Sequence, residues 1–459
     1  MAYNLGVDLG TTFVAAAIAH PDQVKMFSLG DHSMVAPAVV FLPEEGELIT
    51  GDAAGRRAAS HPDRGVRELK RRLGDPTPVK LGDATRPVTT LLGSLLGDVL
   101  GKATSVYGAP PERVVLTHPA NWGPFRRSLF EEVPRAAGLA DVTLVTEPEA
   151  AGVHYASAHR LEDGEIVAVY DLGGGTFDAT ILRKQPHGVE IVGSPEGIER
   201  LGGIDFDEAI SSYVNYAGDG ALDELDRRDP RTAVALARLR HDCALAKEAL
   251  SVDTETTLPV FLPDRNFVVT LTRAAFEDMV RAQIESTIGA LLRALRSAGI
   301  APADLSTVLL VGGSSRIPLV SRMVSEELGR PTVVGAHPKY AVALGAAAIA
   351  GPPPANGSTG PHPAPVPAGT PRPGAGPGGP APAGRPAPGP PAPPSGPPGG
   401  VAPGTPPPAG PHHGPGAPAP SPGTAPAGGG RGGARAWVFF LGVVLVVMLL
   451  TYVGLRLFQ

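Results

Sequence analysis

The sequence predicts an α/β fold of two lobes facing one cleft, and three observations carry that prediction. An apolar run of strand length, Ile166 to Tyr170, leads into Asp171-Leu172-Gly173-Gly174-Gly175-Thr176-Phe177-Asp178 and leaves through Ala179 to Leu182, which reads as a hairpin tipped by three glycines. The same order of strand, Asp, apolar residue, Gly, Thr and strand stands near the N-terminus in Leu5-Gly6-Val7-Asp8-Leu9-Gly10-Thr11-Thr12-Phe13-Val14. Strand and helix patterns then alternate to about residue 350, where the composition changes abruptly.

A glycine tip has no Cβ, so its amides can approach a polyanion closely. The acids at the two ends of the second hairpin, Asp171 and Asp178, would repel phosphate, unless a divalent cation between them reversed the sign. One such hairpin is also what a plain tight turn looks like. Two of them, one in each half of the chain, could close on a single triphosphate with Mg2+.

Taken in order, residues 1 to 20 form the first hairpin and its apolar return strand, and strand-like, turn-rich text follows to about Gly51. The charged stretch Arg64 to Gly74 reads as helical, and Thr89 to Thr104 is apolar at helical spacing. Val114 to Trp122 reads as a strand running into a proline turn, with Arg126-Arg127 opening a helix. The strand Val142 to Val145 precedes a helix whose early Pro148 suits a helix start. The helix from about Arg231 to Leu250 carries the stripe Leu236, Leu239, Cys243, Ala246 and Leu250, which makes the one cysteine a packed thiol. Val308 to Arg316 is again strand, glycine turn and helix, and His337 to Ala348 reads as a closing helix rich in small residues.

Four segments, Gly6 to Thr12, Asp171 to Asp178, Leu201-Gly202-Gly203-Ile204-Asp205-Phe206-Asp207 and Val311 to Pro318, resemble in wording and order the motifs of the actin, hexokinase and heat-shock-70 superfamily, and the heat-shock-70 branch in particular. The resemblance implies a two-lobed actin-like ATPase fold, duplicated βββαβα lobes around a nucleotide cleft, over residues 1–350, with ATP/ADP and Mg2+ as ligands. It implies that Lys70, Glu147, Asp171 and Thr176 are catalytic, and that Asp8 and Asp171 hold the metal through water. Gly10, Thr11, Thr12, Gly173, Gly174, Gly175 and Thr176 would take the phosphates. Gly202, Gly203, Lys247, Ser251, Gly312, Gly313, Ser314 and Arg316 would line the rest of the nucleotide, Arg316 stacking on the base. Pro119 and Arg127 map onto a relay of nucleotide state.

The chain departs from the family at Glu149, which stands for a threonine, at Ala244 and Glu248, which stand for a glutamate and an arginine on the base side, and at Lys339, which stands for an acid. It also looks roughly twenty residues shorter after Lys70, as if a peripheral subdomain were trimmed.

Residues 1–350 hold 34 basic against 45 acidic side chains, a net charge of −11 that argues against a nucleic-acid partner and against adhesion to anionic lipid. A single Cys243 excludes an internal disulfide, and Met1 to Gly10 shows no secretory signal. Between Gly351 and Arg435 lie 30 of the 52 prolines, 23 glycines and no acid, a composition that predicts a disordered linker over 351–435. Ala436 to Leu455 is uncharged, with Trp437 and Tyr452 near its ends, which predicts a single transmembrane helix over 436–456 and a short tail at 457–459. Arg431 and Arg435 on one side against Arg456 on the other place the head in the cytoplasm, at the cell membrane. The heat-shock-70 resemblance stops after Gly351, before the family's peptide-binding domain. The reading is therefore a membrane-tethered, chaperone-like ATPase that uses slow hydrolysis as a conformational switch toward an unknown protein partner. A nucleotide-binding scaffold with a degenerate adenosine pocket is the alternative; for a sugar kinase, no sugar-binding acid is identified.

Overall fold

The computed structural model describes residues 2–159, 161–335 and 337–351. The expected linker at 351–435 and helix at 436–456 therefore lie outside the described residues, apart from Gly351. Among the described residues no helix is long and apolar enough to cross a membrane.

Two five-strand paths repeat one topology. In the first, the order is Thr143–Thr146, Arg113–His118, Asn4–Leu9, Phe13–Ala19, Val24–Phe27. In the second it is Thr332–Val334, Thr307–Val311, Ile166–Leu172, Phe177–Gln185, Gly188–Ile198. Read in those directions, both sheets have two parallel pairings followed by two antiparallel ones. The register makes the hairpins equivalent: Asp8 pairs with Ala15 and Leu9 with Val14 in one, Asp171 with Asp178 and Leu172 with Phe177 in the other. Such a mixed α/β duplication fits an actin-like ATPase domain.

Each lobe has its own core. Tyr3, Leu5, Val7 and Leu9 pack against Leu91, Leu92, Leu95 and Leu96 of the Val88–Tyr107 helix in the first lobe. Full burial of each such leucine contributes about 1.5–3 kcal/mol. Tyr170, Phe177, Phe206 and Phe276 anchor the second. A third apolar cluster, with Val115, Ala150, Val167, Val311 and Ala346, lies between the sheets. The helices Glu147–His159 and Ala341–Ala350 meet there closely enough that a Cβ on Gly345 would sit 1.7 Å from the Ala150 carbonyl oxygen. The small residues of the closing helix are what permit this crossing.

Helix limits agree with the sequence within a few residues, as in Pro230–Leu250, where Cys243 is fully buried. Burial pushes the Cys243 thiol up to about 12, so it packs and does not react. One element differs. Arg64 to Gly74 is not a helix but a short strand, Gly65–Val66, and a 3-10 turn, Leu69–Arg72, entered through Glu68 at φ 58°. Its charges do not form a solvated face: Lys70 is drawn inward to acids of the cleft, and that tertiary pairing overrides helix propensity.

Candidate active site

The second hairpin closes through Gly173 N–H, which donates to the Thr176 carbonyl at 3.0 Å. Its tip meets the first hairpin. A Cβ on Gly174 would stand 1.8 Å from Thr12 Oγ1, and one on Gly175 would stand 2.5 Å from Thr11 Cγ2. Only glycine permits that approach, and the Thr12 hydroxyl oxygen is buried there with no protein partner. Gly202 lies against the backbone of Gly174 and Gly175, so the third glycine motif backs the second hairpin. Asp171 Oδ1 lies 2.5 Å from where a Gly312 Cβ would be, which brings the fourth motif to the same place.

Beside the tips is a cluster of charges. Lys70, with its side chain 7% exposed, donates to Glu147 and stands 3.9 Å from Asp8. Thr117, which the sequence reading missed, lies with its hydroxyl 3.3 Å from Asp8 Oδ1. Burial alone would depress the Lys70 ammonium, but Glu147, Asp8 and Asp171 outweigh it and hold its pKa raised. Burial, with Glu147 repelling, pushes Asp8 to about 6. Burial, then Glu147 and Asp8, pushes Asp171 to about 8, and burial with Glu147 and Asp171 holds Asp178 well above the carboxylate range. Asp178, buried and with one unpartnered oxygen, is the far acid of the second hairpin, which the sequence reading placed beside a cation but did not carry into its list of site residues.

Three acids, Asp8, Glu147 and Asp171, thus surround one lysine, and the carboxyls of Asp8 and Asp171 are held above the usual carboxylate range. A divalent cation suits that donor set. Among the described residues no group of three or more His, Cys, Asp or Glu is placed to ligate a metal directly.

Arg71 joins the lobes. Its Nε donates to the Gly175 carbonyl at 2.6 Å and its guanidinium pairs with Asp205. Arg126 pairs across to Glu199, whereas Arg127, the expected relay, is exposed. Asn121, two residues after Pro119, abuts Gly197 of the second lobe, on the side of Gly197 that also faces Asp178.

Among the residues expected to face the nucleoside, Lys247 donates to the Gly203 carbonyl at 2.7 Å and pairs with Asp207 at 2.7 Å. Burial raises Asp207 to about 6 against the pull of Lys247. The Ser314 hydroxyl donates to the Gly173 carbonyl at 2.9 Å, and Ser251 donates to the Lys247 carbonyl at 3.3 Å. Gly203, Lys247 and Ser314 therefore come together, whereas Arg316 is exposed on its 3-10 turn. Glu248 and Lys339, two departures of opposite sign, are in contact at 3.4 Å. Glu149 also has a structural account. Its carboxylate accepts from Thr146 N–H at 3.0 Å and from the Thr146 hydroxyl at 2.5 Å, while its own N–H reaches Thr146 Oγ1, a capping box that fixes the start of the Glu147 helix.

Fold and site together define a two-lobed ATPase-type domain, with two glycine hairpins and an acid-lysine cluster at the bottom of the cleft. The family model described as Hsp70 protein matches residues 4–82 and 78–352. The chain belongs to the Hsp70 family, and the matched region corresponds to its nucleotide-binding domain. Domains of this family bind ATP or ADP, usually with Mg2+, so the coarse reading is a nucleotide-binding, chaperone-like ATPase.

Proposed function

We propose that this chain is a membrane-tethered ATPase switch that binds Mg-ATP between its two hairpins, hydrolyses it slowly and passes the change in lobe closure to a protein partner. The observation that carries this reading is the group of buried Lys70 and Glu147 with half-buried Asp8 and Asp171, beside the touching hairpin tips. Phosphoryl transfer depends mainly on positioning and charge stabilisation. Amides of the Gly173–Gly175 tip and hydroxyls of Thr11, Thr12 and Thr176 bind the phosphates. Lys70 stabilises charge that develops on the transferred group, and Glu147 holds Lys70 in place and orients the attacking water. Asp8 and Asp171 are the residues that would hold the magnesium shell. Magnesium, when bound, neutralises charge on the phosphate oxygens. Arg71, bonded to Gly175 and Asp205, links the Lys70 turn in one lobe to the phosphate hairpin in the other, which suits a switch.

The membrane part of the proposal rests on the uncharged run Ala436 to Leu455. Arg431 and Arg435 before it favour a single pass with the head in the cytoplasm. Deleting Ala436 to Gln459 should move the protein to the soluble fraction, and protease outside intact cells should spare the head. Continued sedimentation with membranes, or digestion from outside, contradicts this placement.

A second reading, a scaffold that holds nucleotide without turnover, is favoured by Ala244 and by the Glu248–Lys339 pair on the base side. Titration with labelled ATP and ADP, followed by measurement of phosphate release, separates the two. The switch predicts binding of both and slow release that Asp171→Asn abolishes. Binding without release selects the scaffold, and no binding ends both readings.

A further inference from the structure

Lys339 lies in the turn before the closing helix and touches three separate parts of the chain. Its ammonium is 3.4 Å from Glu248 on the last turn of the Pro230–Leu250 helix and 4.2 Å from the centre of the Phe13 ring. Its stem fills the side of Gly313 that a side chain would take, since a Cβ there would meet Lys339 Cε at 3.0 Å. Phe13 opens the return strand of the first hairpin, whereas Gly313 and Glu248 belong to the second lobe. The neighbouring Lys247 is turned to Asp207 and Gly203 and does not compete for Glu248.

We propose that Lys339, held between Glu248 and Phe13, is a latch across the base-side mouth of the cleft and sets the rate at which nucleotide leaves. The proposal rests on the reading of the cleft as a nucleotide site. Opening the mouth separates Phe13 from Gly313 and Glu248, so Lys339 must give up either its ring contact or its ion pair. The pair is partly solvated, with side-chain exposures of 59% for Glu248 and 29% for Lys339, so the latch is weak and salt-sensitive. A solvated ion pair together with a cation–π contact corresponds to a factor of about three to ten in the closed-to-open ratio.

The test uses the full chain in detergent, as wild type, Glu248→Lys, Lys339→Glu and the double charge swap. Two readouts are needed: amide hydrogen exchange of residues 10–14 and 312–314 without ligand, and release of a fluorescent ADP analogue. Each single variant should speed both by about three to ten times, and the wild-type rates should rise with salt. The double variant should recover most of the loss, short only of the Phe13 contact. Exchange in the single variants equal to wild type overturns the latch, as does faster exchange with unchanged ADP release. Single effects that the charge swap fails to relieve overturn the ion pair as its basis. If no protein binds the ADP analogue, the nucleotide reading fails; the exchange data alone then decide whether Lys339 ties the lobes.

Discussion

Removing the charge of Asp171 should stabilise the ligand-free protein while destroying its activity. In the folded chain the Asp171 carboxyl is raised from 3.8 to about 8, first by burial and then by Glu147 and Asp8. A carboxyl raised on folding favours the folded state below pH 3.8, and that advantage is lost as pH rises toward 8. At about 1.36 kcal/mol per pH unit the ceiling is roughly 6 kcal/mol, but water reaches this half-buried side chain, and about 2 kcal/mol is the working figure. For roughly 350 residues unfolding with about 2.1 cal/mol/K each, that is about 3 °C in melting temperature. Melting curves of wild type and Asp171→Asn without nucleotide should coincide near pH 3.5 and separate toward pH 8.5, the variant melting higher. Asp8 and Asp178 titrate in both proteins, so to first order the difference isolates Asp171. A variant that melts lower at pH 8.5, or a difference that does not change with pH, refutes the electrostatic account of the cluster.

Lys70→Ala should reduce phosphate release about a hundredfold or more, since it removes the one cation among three acids; an unchanged rate in single-turnover assays removes Lys70 from catalysis. Gly174→Ala places a methyl 1.8 Å from Thr12 Oγ1 and should weaken Mg-ATP by about tenfold or more while the far-UV circular dichroism stays native. Glu149→Ala should lower stability in urea by about 1 kcal/mol, and Glu149→Gln should lose much less, because glutamine can still close the capping box with Thr146.

The architecture was legible because the duplication is written in short local text: the two Asp-Gly hairpins share one residue order and occupy equivalent positions in the two sheets. Lys70 was legible only through family resemblance. Its local sequence reads as a solvated basic helix, and what fixes its real conformation is a set of acids distant in sequence. Arg71, Asn121 and Thr117 were missed because each acts through a contact made only after the lobes assemble. Asp178 was in plain view as the end of a motif, yet its isolation from solvent is a tertiary property. Thr146 and Glu149 carried a legible signal, the Thr-x-x-Glu pattern of a capping box, that the family comparison obscured by marking Glu149 as a departure. Glu248 and Lys339 are 91 positions apart, and only the fold reveals that two reversals of sign are one contact.

The central claim is that the paired hairpins hold phosphate through backbone amides and a cation, and calorimetric titration of ADP, AMP and adenosine against the full chain in detergent tests it most directly. With Mg2+ present, ADP should bind far more tightly than AMP or adenosine, and chelating the metal should remove most of that difference. Equal affinity for ADP and AMP, or ADP binding that is indifferent to Mg2+, would contradict it.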